Sequence, residues 1–229
     1  MNFVGMDKLS LLDYEEKVSC VLFSKACNFR CPFCHNGLTV LESQDQIAWE
    51  TVMEYLNKRK GVLDAVVFTG GEVTLMPDLK EKMMDVKKLG YLIKLDTNGT
   101  NPQIVQELID LKLIDYVAMD IKNSKAKYPI TTNTANVDYY SKVLETYNIL
   151  KSSGIEYELR TTLVYENHDE EDFKEIAKTF KDAPKFYLQK FVEREGVIKK
   201  GLHPIDEGTA NKFKSILEEY IPVVNLRGY

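Results

Sequence analysis

Strand-sized apolar runs alternate with helix-spaced apolar faces six times along this chain, and no other feature restricts the fold as much. Residues 18–23, rich in β-branched and aromatic side chains, predict a first strand. Ile47, Ala48, Val52 and Leu56, widened by Trp49 and Met53, then recur at helical spacing. Residues 65–69, 91–95, 116–119, 155–162 and 185–191 predict five further strands. Helical faces separate them: Leu79, Met83 and Val86; Ile104, Val105, Leu108 and Ile109; Val143, Tyr147 and Leu150; Phe173, Ile176, Ala177 and Phe180. A last helix carries Phe213, Ile216, Leu217 and Tyr220.

Consecutive parallel strands need a crossover, so six βα units predict a mainly parallel sheet with helices packed against it. Two units are missing for a closed eight-stranded barrel. The expected fold class is therefore α/β, an incomplete (β/α)6 TIM-type barrel. Val223 and Val224 either add an edge strand or pin the tail. With 229 residues and 44% hydrophobic content, one core is affordable and two are not. A single domain over 1–229 is expected, with the partial barrel over 18–195 and a C-terminal helix and tail over 196–229.

Composition narrows the partners. Thirty basic side chains against 35 acidic ones leave a net charge of -5, no cationic footprint for a phosphate backbone, so nucleic acid is not expected. No apolar run is long enough to span a bilayer, and the first residues lack a basic stretch followed by an apolar one. A cytoplasmic protein with no membrane partner is the expectation.

Three of the four cysteines fall at positions 27, 31 and 34, directly after the first strand. Such clustering points to metal rather than to a disulfide framework. Three thiolates can hold three irons of a cubane and leave the fourth open. Zinc is the competing reading, because His35 can complete a Cys3His set, although its place beside Cys34 makes tetrahedral ligation awkward. A redox dithiol leaves the third cysteine unexplained. Cys20, inside the strand, reads as a small core residue.

Ligands of parallel α/β folds bind beyond the C-terminal ends of the strands. Here those ends carry the cysteines, Gly70-Gly71-Glu72, Asp96-Thr97-Asn98-Gly99, Asp120 with Lys122, Arg160 with its two threonines, and Gln189. Asp120 and Lys122 stand two apart and share a side if both continue the strand; a plain surface pair is the alternative.

Cys27-x3-Cys31-x-Phe33-Cys34, followed by Gly70-Gly71-Glu72 at the second strand end, resembles the radical S-adenosylmethionine superfamily. The resemblance implies one [4Fe-4S] cluster on the three cysteines and S-adenosylmethionine on its open iron. It also implies that Gly70 and Gly71 allow close backbone approach and that Glu72 receives the methionine ammonium. Asp96, Thr97 and Asn98 would arrange the methionine carboxylate and a monovalent cation, assisted by Asp120. Lys122 and Arg160 would neutralise carboxylate charge, and Gln189 would contact adenosine or a partner loop.

Within that superfamily, His35-Asn36 after Cys34 and Lys8 to Tyr14 resemble activases of glycyl radical enzymes, most of all the longer class of anaerobic ribonucleoside-triphosphate reductase activating proteins. Activation of that reductase by hydrogen abstraction from a backbone glycine is implied, with flavodoxin or ferredoxin as reductant. Val73 stands where proline is usual, Ala26 where glycine is, and Glu15-Glu16 where Pro-Gly is. The sixth strand end lacks the histidine of the pyruvate formate-lyase branch. A small-molecule radical enzyme and a nonenzymatic iron-sulfur electron carrier remain the alternatives. His168 to Asp172 reads as a helix start, and Arg227-Gly228-Tyr229, which faintly echoes a radical loop, as a tail.

Overall fold

The computed structural model describes residues 3–41 and 45–229, apart from the side chains of residues 38 and 39. Six parallel strands form its centre: β2 (Ser19–Ser24), β3 (Ala65–Gly70), β4 (Leu92–Thr97), β5 (Tyr116–Asp120), β6 (Glu156–Leu163) and β7 (Phe186–Lys190). They are the six expected from the sequence, within a residue or two at each end. Two more strands extend the sheet. β1 (Phe3–Ser10) pairs antiparallel with β2, and β8 (Val224–Arg227) pairs parallel with β7. The order is β1 to β8 in sequence, with β1 and β8 left as edges, so the barrel is incomplete.

Helices α2 (Trp49–Lys58), α3 (Leu79–Lys88), α4 (Pro102–Asp110), α6 (Tyr139–Ser153), α7 (Glu170–Thr179) and α8 (Glu207–Glu218) cover the outer face, while the short α1 (Gly37–Leu41) and α5 (Tyr128–Thr132) belong to the loops after β2 and β5. None is long and apolar enough to cross a membrane among the described residues. The helix expected from Ile47 begins at Trp49 instead, because Ala48 is extended and Ile47 bridges to Phe3. α7 starts as its acids imply: Asp169 accepts from the Asp172 amide at 3.1 Å while Asp172 accepts from the Asp169 amide at 2.9 Å.

Strand periodicity sends alternate side chains to two different cores. Cys20, Leu22, Val66, Phe68, Ile93, Leu95, Val117 and Met119 face the helices and are fully buried. The opposite face lines the barrel and changes character along the sheet. On β2 and β3 it is apolar, where Val21, Ala65 and Val67 pack with Tyr14 and Tyr116. From β4 onward it is charged. Buried Glu158 on β6 receives the Tyr116 hydroxyl at 2.9 Å and both ends of the Arg227 guanidinium at 3.0 and 3.2 Å. Arg227 also lies 3.4 Å over the Tyr187 ring, so the C-terminal tail is a working part of the barrel floor.

Buried Lys94 stands between these groups and the upper end, 4.0 Å from Glu158 and 3.8 Å from Asp96. A buried carboxylate with fixed cationic partners is costly to disturb. Glu158→Gln, which keeps the shape and removes the charge, leaves Lys94 and Arg227 facing each other and should lower unfolding free energy by about 3 kcal/mol in urea titrations.

Candidate active site

The C-terminal ends of the strands enclose a cavity of about 330 Å³, within the usual range for small-molecule sites. Its walls hold Cys27, Cys31, Phe33 and Cys34 from the loop after β2, and Gly70 and Gly71 from β3. Asp96, Thr97 and Asn98 come from β4, Asp120 and Lys122 from β5, Arg160 from β6 and Gln189 from β7. Of the residues singled out at the strand ends, Glu72, Gly99 and Thr161 are the ones that do not line it. A larger hollow of about 910 Å³ between α4 and α6 is an open furrow on the outer face and contains no strand-end residue.

The cysteine loop is held against β3 by steric fit. Gly70 adopts φ +111, and a Cβ there would sit 2.4 Å from the Ser24 nitrogen. A Cβ on Gly71 would lie 2.1 Å from the Ala26 carbonyl oxygen, so no larger residue fits without moving the loop. The Glu72 amide donates to that same carbonyl at 2.6 Å. From the other side the Asn36 amide donates to the Gly70 carbonyl at 2.7 Å, which gives the Cys-His-Asn continuation a structural role. Asn98 reaches the loop too, donating to Asn28 at 2.8 Å, while Asn28 donates to Thr100 at 2.8 Å.

The Glu72 side chain turns away from the cavity. One carboxylate oxygen accepts from Thr97 at 2.8 Å and from Thr74, and the other from the Asn98 amide at 2.6 Å. Burial raises its pKa despite these donors. Glu72 ties β3 to the β4 turn.

Charges on β4 to β6 are arranged by cross-strand register. Asp120 is paired directly with Arg160, and its carboxylate accepts from Arg160 Nε at 2.9 Å and Lys122 Nζ at 3.1 Å. Burial pushes the Asp120 carboxyl up, yet the two cations reverse this and hold it at about 2. Arg160 also donates to Asp96 at 3.2 Å, where Thr69 donates at 3.1 Å to the same oxygen. The second Asp96 oxygen is buried and has no hydrogen-bond partner. His168, set aside as a helix start, is buried behind this group with Nε2 3.0 Å from the Lys122 carbonyl oxygen. Burial keeps its imidazole below the ordinary pKa.

Cys27, Cys31 and Cys34 face the cavity with no disulfide between them. Burial pushes the Cys27 thiol up to about 11 and Cys31 to about 12, and the Lys122 cation pulls both downward. Among the described residues no three His, Cys, Asp or Glu groups converge on a single-ion position. His35 is engaged elsewhere: Nε2 lies 2.9 Å from the Val192 carbonyl and its ring stacks on Phe191. The zinc reading therefore lacks its fourth ligand. Three thiols lining one cavity, a glycine cradle that a Cβ would fill, and Lys122 and Arg160 at the same strand ends fit a cluster with a charged organic ligand. Cys20 lies in the core, as expected.

Residues 21–180 match the family model described as "Radical SAM superfamily". The chain belongs to the radical SAM superfamily, whose members are enzymes that bind a [4Fe-4S] cluster and S-adenosylmethionine. It is 36% identical over 97% of its length, and 94% of the relative's, to a Methanocaldococcus jannaschii protein named "Putative glycyl-radical enzyme activating enzyme MJ1227". A Saccharolobus solfataricus radical SAM relative named "Probable GTP 3',8-cyclase" is 29% identical over 68% of this chain and 50% of its own. The fold is shared with Streptococcus suis SuiB bound to S-adenosylmethionine, at a TM-score of 0.71 and 16% identity over 91% of this chain and 50% of that one.

Sequence reasoning missed Asp13, Phe23, Phe29 and Thr69 as cavity residues; Thr69 lies next to Gly70, a chosen strand end, which was the available signal. Two outcomes test this radical SAM site. Gly71→Ala should retain native circular dichroism yet bind less iron and sulfide than wild type on anaerobic reconstitution. The folded Asp120 pKa lies below the ordinary value of about 3.9, so its contribution to stability is present above about pH 4 and lost towards about pH 2. The stability gap between wild type and Asp120→Asn should accordingly narrow across that window in denaturant titrations.

Proposed function

We propose that this protein activates a glycyl radical enzyme, anaerobic ribonucleoside-triphosphate reductase, by taking a hydrogen atom from one backbone glycine. The observation that carries the reading is three cysteines and the Lys122–Asp120–Arg160 charge group on facing walls of one cavity, in a chain similar over nearly its whole length to a named activating enzyme. A bound cluster, with flavodoxin or ferredoxin as the reductant, would supply the electron for reductive cleavage of S-adenosylmethionine to methionine and a 5'-deoxyadenosyl radical able to abstract hydrogen.

The chain's own part is placement and electrostatics. Cys27, Cys31 and Cys34 would hold the cluster, and Lys122 would stabilise the negative charge of their thiolates. Arg160, kept rigid by two carboxylates, offers a guanidinium edge to the methionine carboxylate. Asp96, Thr97 and Asn98, which line the cavity together, would arrange the methionine carboxylate and a monovalent cation, and Glu72, bonded to Thr97 and the Asn98 amide, would hold that turn in place for the methionine ammonium. Gly70 and Gly71 bring backbone close to the ligand, and Phe33 and Gln189 flank the adenosine. No protein base is needed for a homolytic abstraction, and reach of the glycine to C5' governs the rate.

A small-molecule radical reaction uses the same residues, and the similarity to a GTP cyclase favours it as the second reading. Labelled reductase separates the two. With α-deuterated glycine in the reductase, reduced enzyme should move deuterium into 5'-deoxyadenosine. Deuterium-free 5'-deoxyadenosine, together with turnover of a nucleotide, would support the second reading. An electron carrier would make no 5'-deoxyadenosine at all. Ala at Cys27, Cys31 or Cys34 should abolish cleavage, and Arg160→Lys should weaken S-adenosylmethionine binding by about tenfold, since a lysine does not reproduce the forked contact.

A further inference from the structure

β5 ends at Asp120, and the chain's last tie to the sheet is the Ile121 amide, which donates to the Arg160 carbonyl at 2.8 Å. Lys122 lies one residue further on, where strand pairing no longer fixes its backbone. Its ammonium nevertheless stands at a defined place, 3.1 Å from Asp120 in the cavity that holds the cysteines. Burial raises all three thiols there, and the Lys122 cation lowers each of them. A charge on a flexible four-carbon stem keeps such a position only if the backbone beneath it is held.

The hold comes from the segment that starts α7. His168 is 6% exposed, and its ring packs against Phe173 with centroids 5.9 Å apart. Nδ1 lies 3.2 Å from the Val164 amide and accepts from it, so the hydrogen-bond network assigns the proton to Nε2, which donates to the Lys122 carbonyl at 3.0 Å. Burial disfavours the charged ring and keeps this neutral form. The next two residues are bonded to the same segment. Asn123 donates to the Asn167 carbonyl at 2.8 Å, and the Ser124 hydroxyl to Asp172 at 2.7 Å. At its far end the loop meets the cysteines, because the Arg30 amide, between Cys27 and Cys31, donates to the Thr132 carbonyl at 3.0 Å. Of these ties, that of His168 is the one made to Lys122 itself.

We propose that His168 is a positioning residue for the cluster: by holding the Lys122 carbonyl it aims the Lys122 ammonium at the three cysteine sulfurs, and so sets the reduction potential of the cluster they carry. The inference rests on the reading of Lys122 as the cation that offsets the thiolates, and it is independent of which substrate the radical attacks. A fixed cation favours the more negative, reduced cluster, since local charge is among the levers that set its potential. Once the Lys122 backbone loosens, the ammonium spreads over many rotamers and its effect at the sulfurs falls.

The test is a mediated redox titration of the reconstituted protein without S-adenosylmethionine, followed by electron paramagnetic resonance. Lys122→Gln should lower the midpoint potential by about 59 mV, a tenfold change in the one-electron equilibrium. His168→Asn keeps an acceptor at the Nδ1 position but is too short to reach Lys122, and should move the potential in the same direction. His168→Gln, whose Nε2 stands as many bonds from Cβ as the histidine's, should return it to the wild-type value. Ser124→Ala breaks a tie of the same loop without touching Lys122, and should lower stability in urea while leaving the potential unchanged. A wild-type potential in His168→Asn, with Lys122→Gln shifted, overturns the proposal. So does an equal shift in His168→Asn, His168→Gln and Ser124→Ala, which would mean general loosening of the loop. An unshifted Lys122→Gln removes the electrostatic reading of Lys122, and this inference with it. Should His168→Asn load no cluster, amide hydrogen exchange across residues 121–125 of the unloaded protein decides: faster exchange than in His168→Gln supports the positioning role, and equal exchange overturns it.

Discussion

Asp120 accepts from Arg160 and Lys122 at once, and much of the site's shape follows from that shared carboxylate. Arg160 continues to Asp96, Asp96 faces Lys94, Lys94 faces Glu158, and Glu158 is forked by Arg227. Cations and carboxylates alternate through the barrel from the cysteine cavity to the C-terminal strand, so β4, β5, β6 and β8 are keyed together by charge as well as by backbone. The set holds four cations against three carboxylates, a balance that favours an anionic group at the open end. A closed barrel would fill this space with branched apolar residues. Here the lumen is a polar mount, and stability is left to the outer core of helices against the sheet.

The cysteine loop is mounted differently, by contact rather than charge. Gly70 and Gly71 let β3 end against Ser24 and Ala26 with no room for a side chain, and Asn36, Asn28 and Asn98 tie the loop at three points. Cluster ligands placed by packed backbone and the cofactor's charges placed by a salt-linked ladder can each be rigid without constraining the other. The Asp13 carbonyl joins the second system, since the Lys94 that faces Asp96 also donates to it.

The six central strands were legible because each is a compact run of β-branched and aromatic residues closed by glycine, asparagine or charge. β1 was not: Gly5 and Asp7 break its alternation, it pairs on one edge, and its register shifts twice. The short helices α1 and α5 have too few residues to show a period. Strand-end reasoning located Asp96, Asp120, Arg160 and Gln189, since the ends of parallel strands must converge. It could not show that Glu72 is bonded to the β4 turn, because its partners Thr97 and Asn98 lie 25 and 26 positions away. It set aside His168 and Arg227 for the same reason: their partners, the Lys122 carbonyl and Glu158, lie 46 and 69 positions distant.

The central claim is that the three cysteines leave one iron open and that S-adenosylmethionine ligates it. Electron-nuclear double resonance of the reduced, reconstituted protein with S-adenosylmethionine carrying 15N in the amino group and 17O in the carboxylate tests this directly. Hyperfine coupling to both labels, lost when unlabelled ligand replaces them, is the result this account predicts. A reduced cluster whose spectrum is the same with and without the ligand, every iron being held by protein, would contradict it.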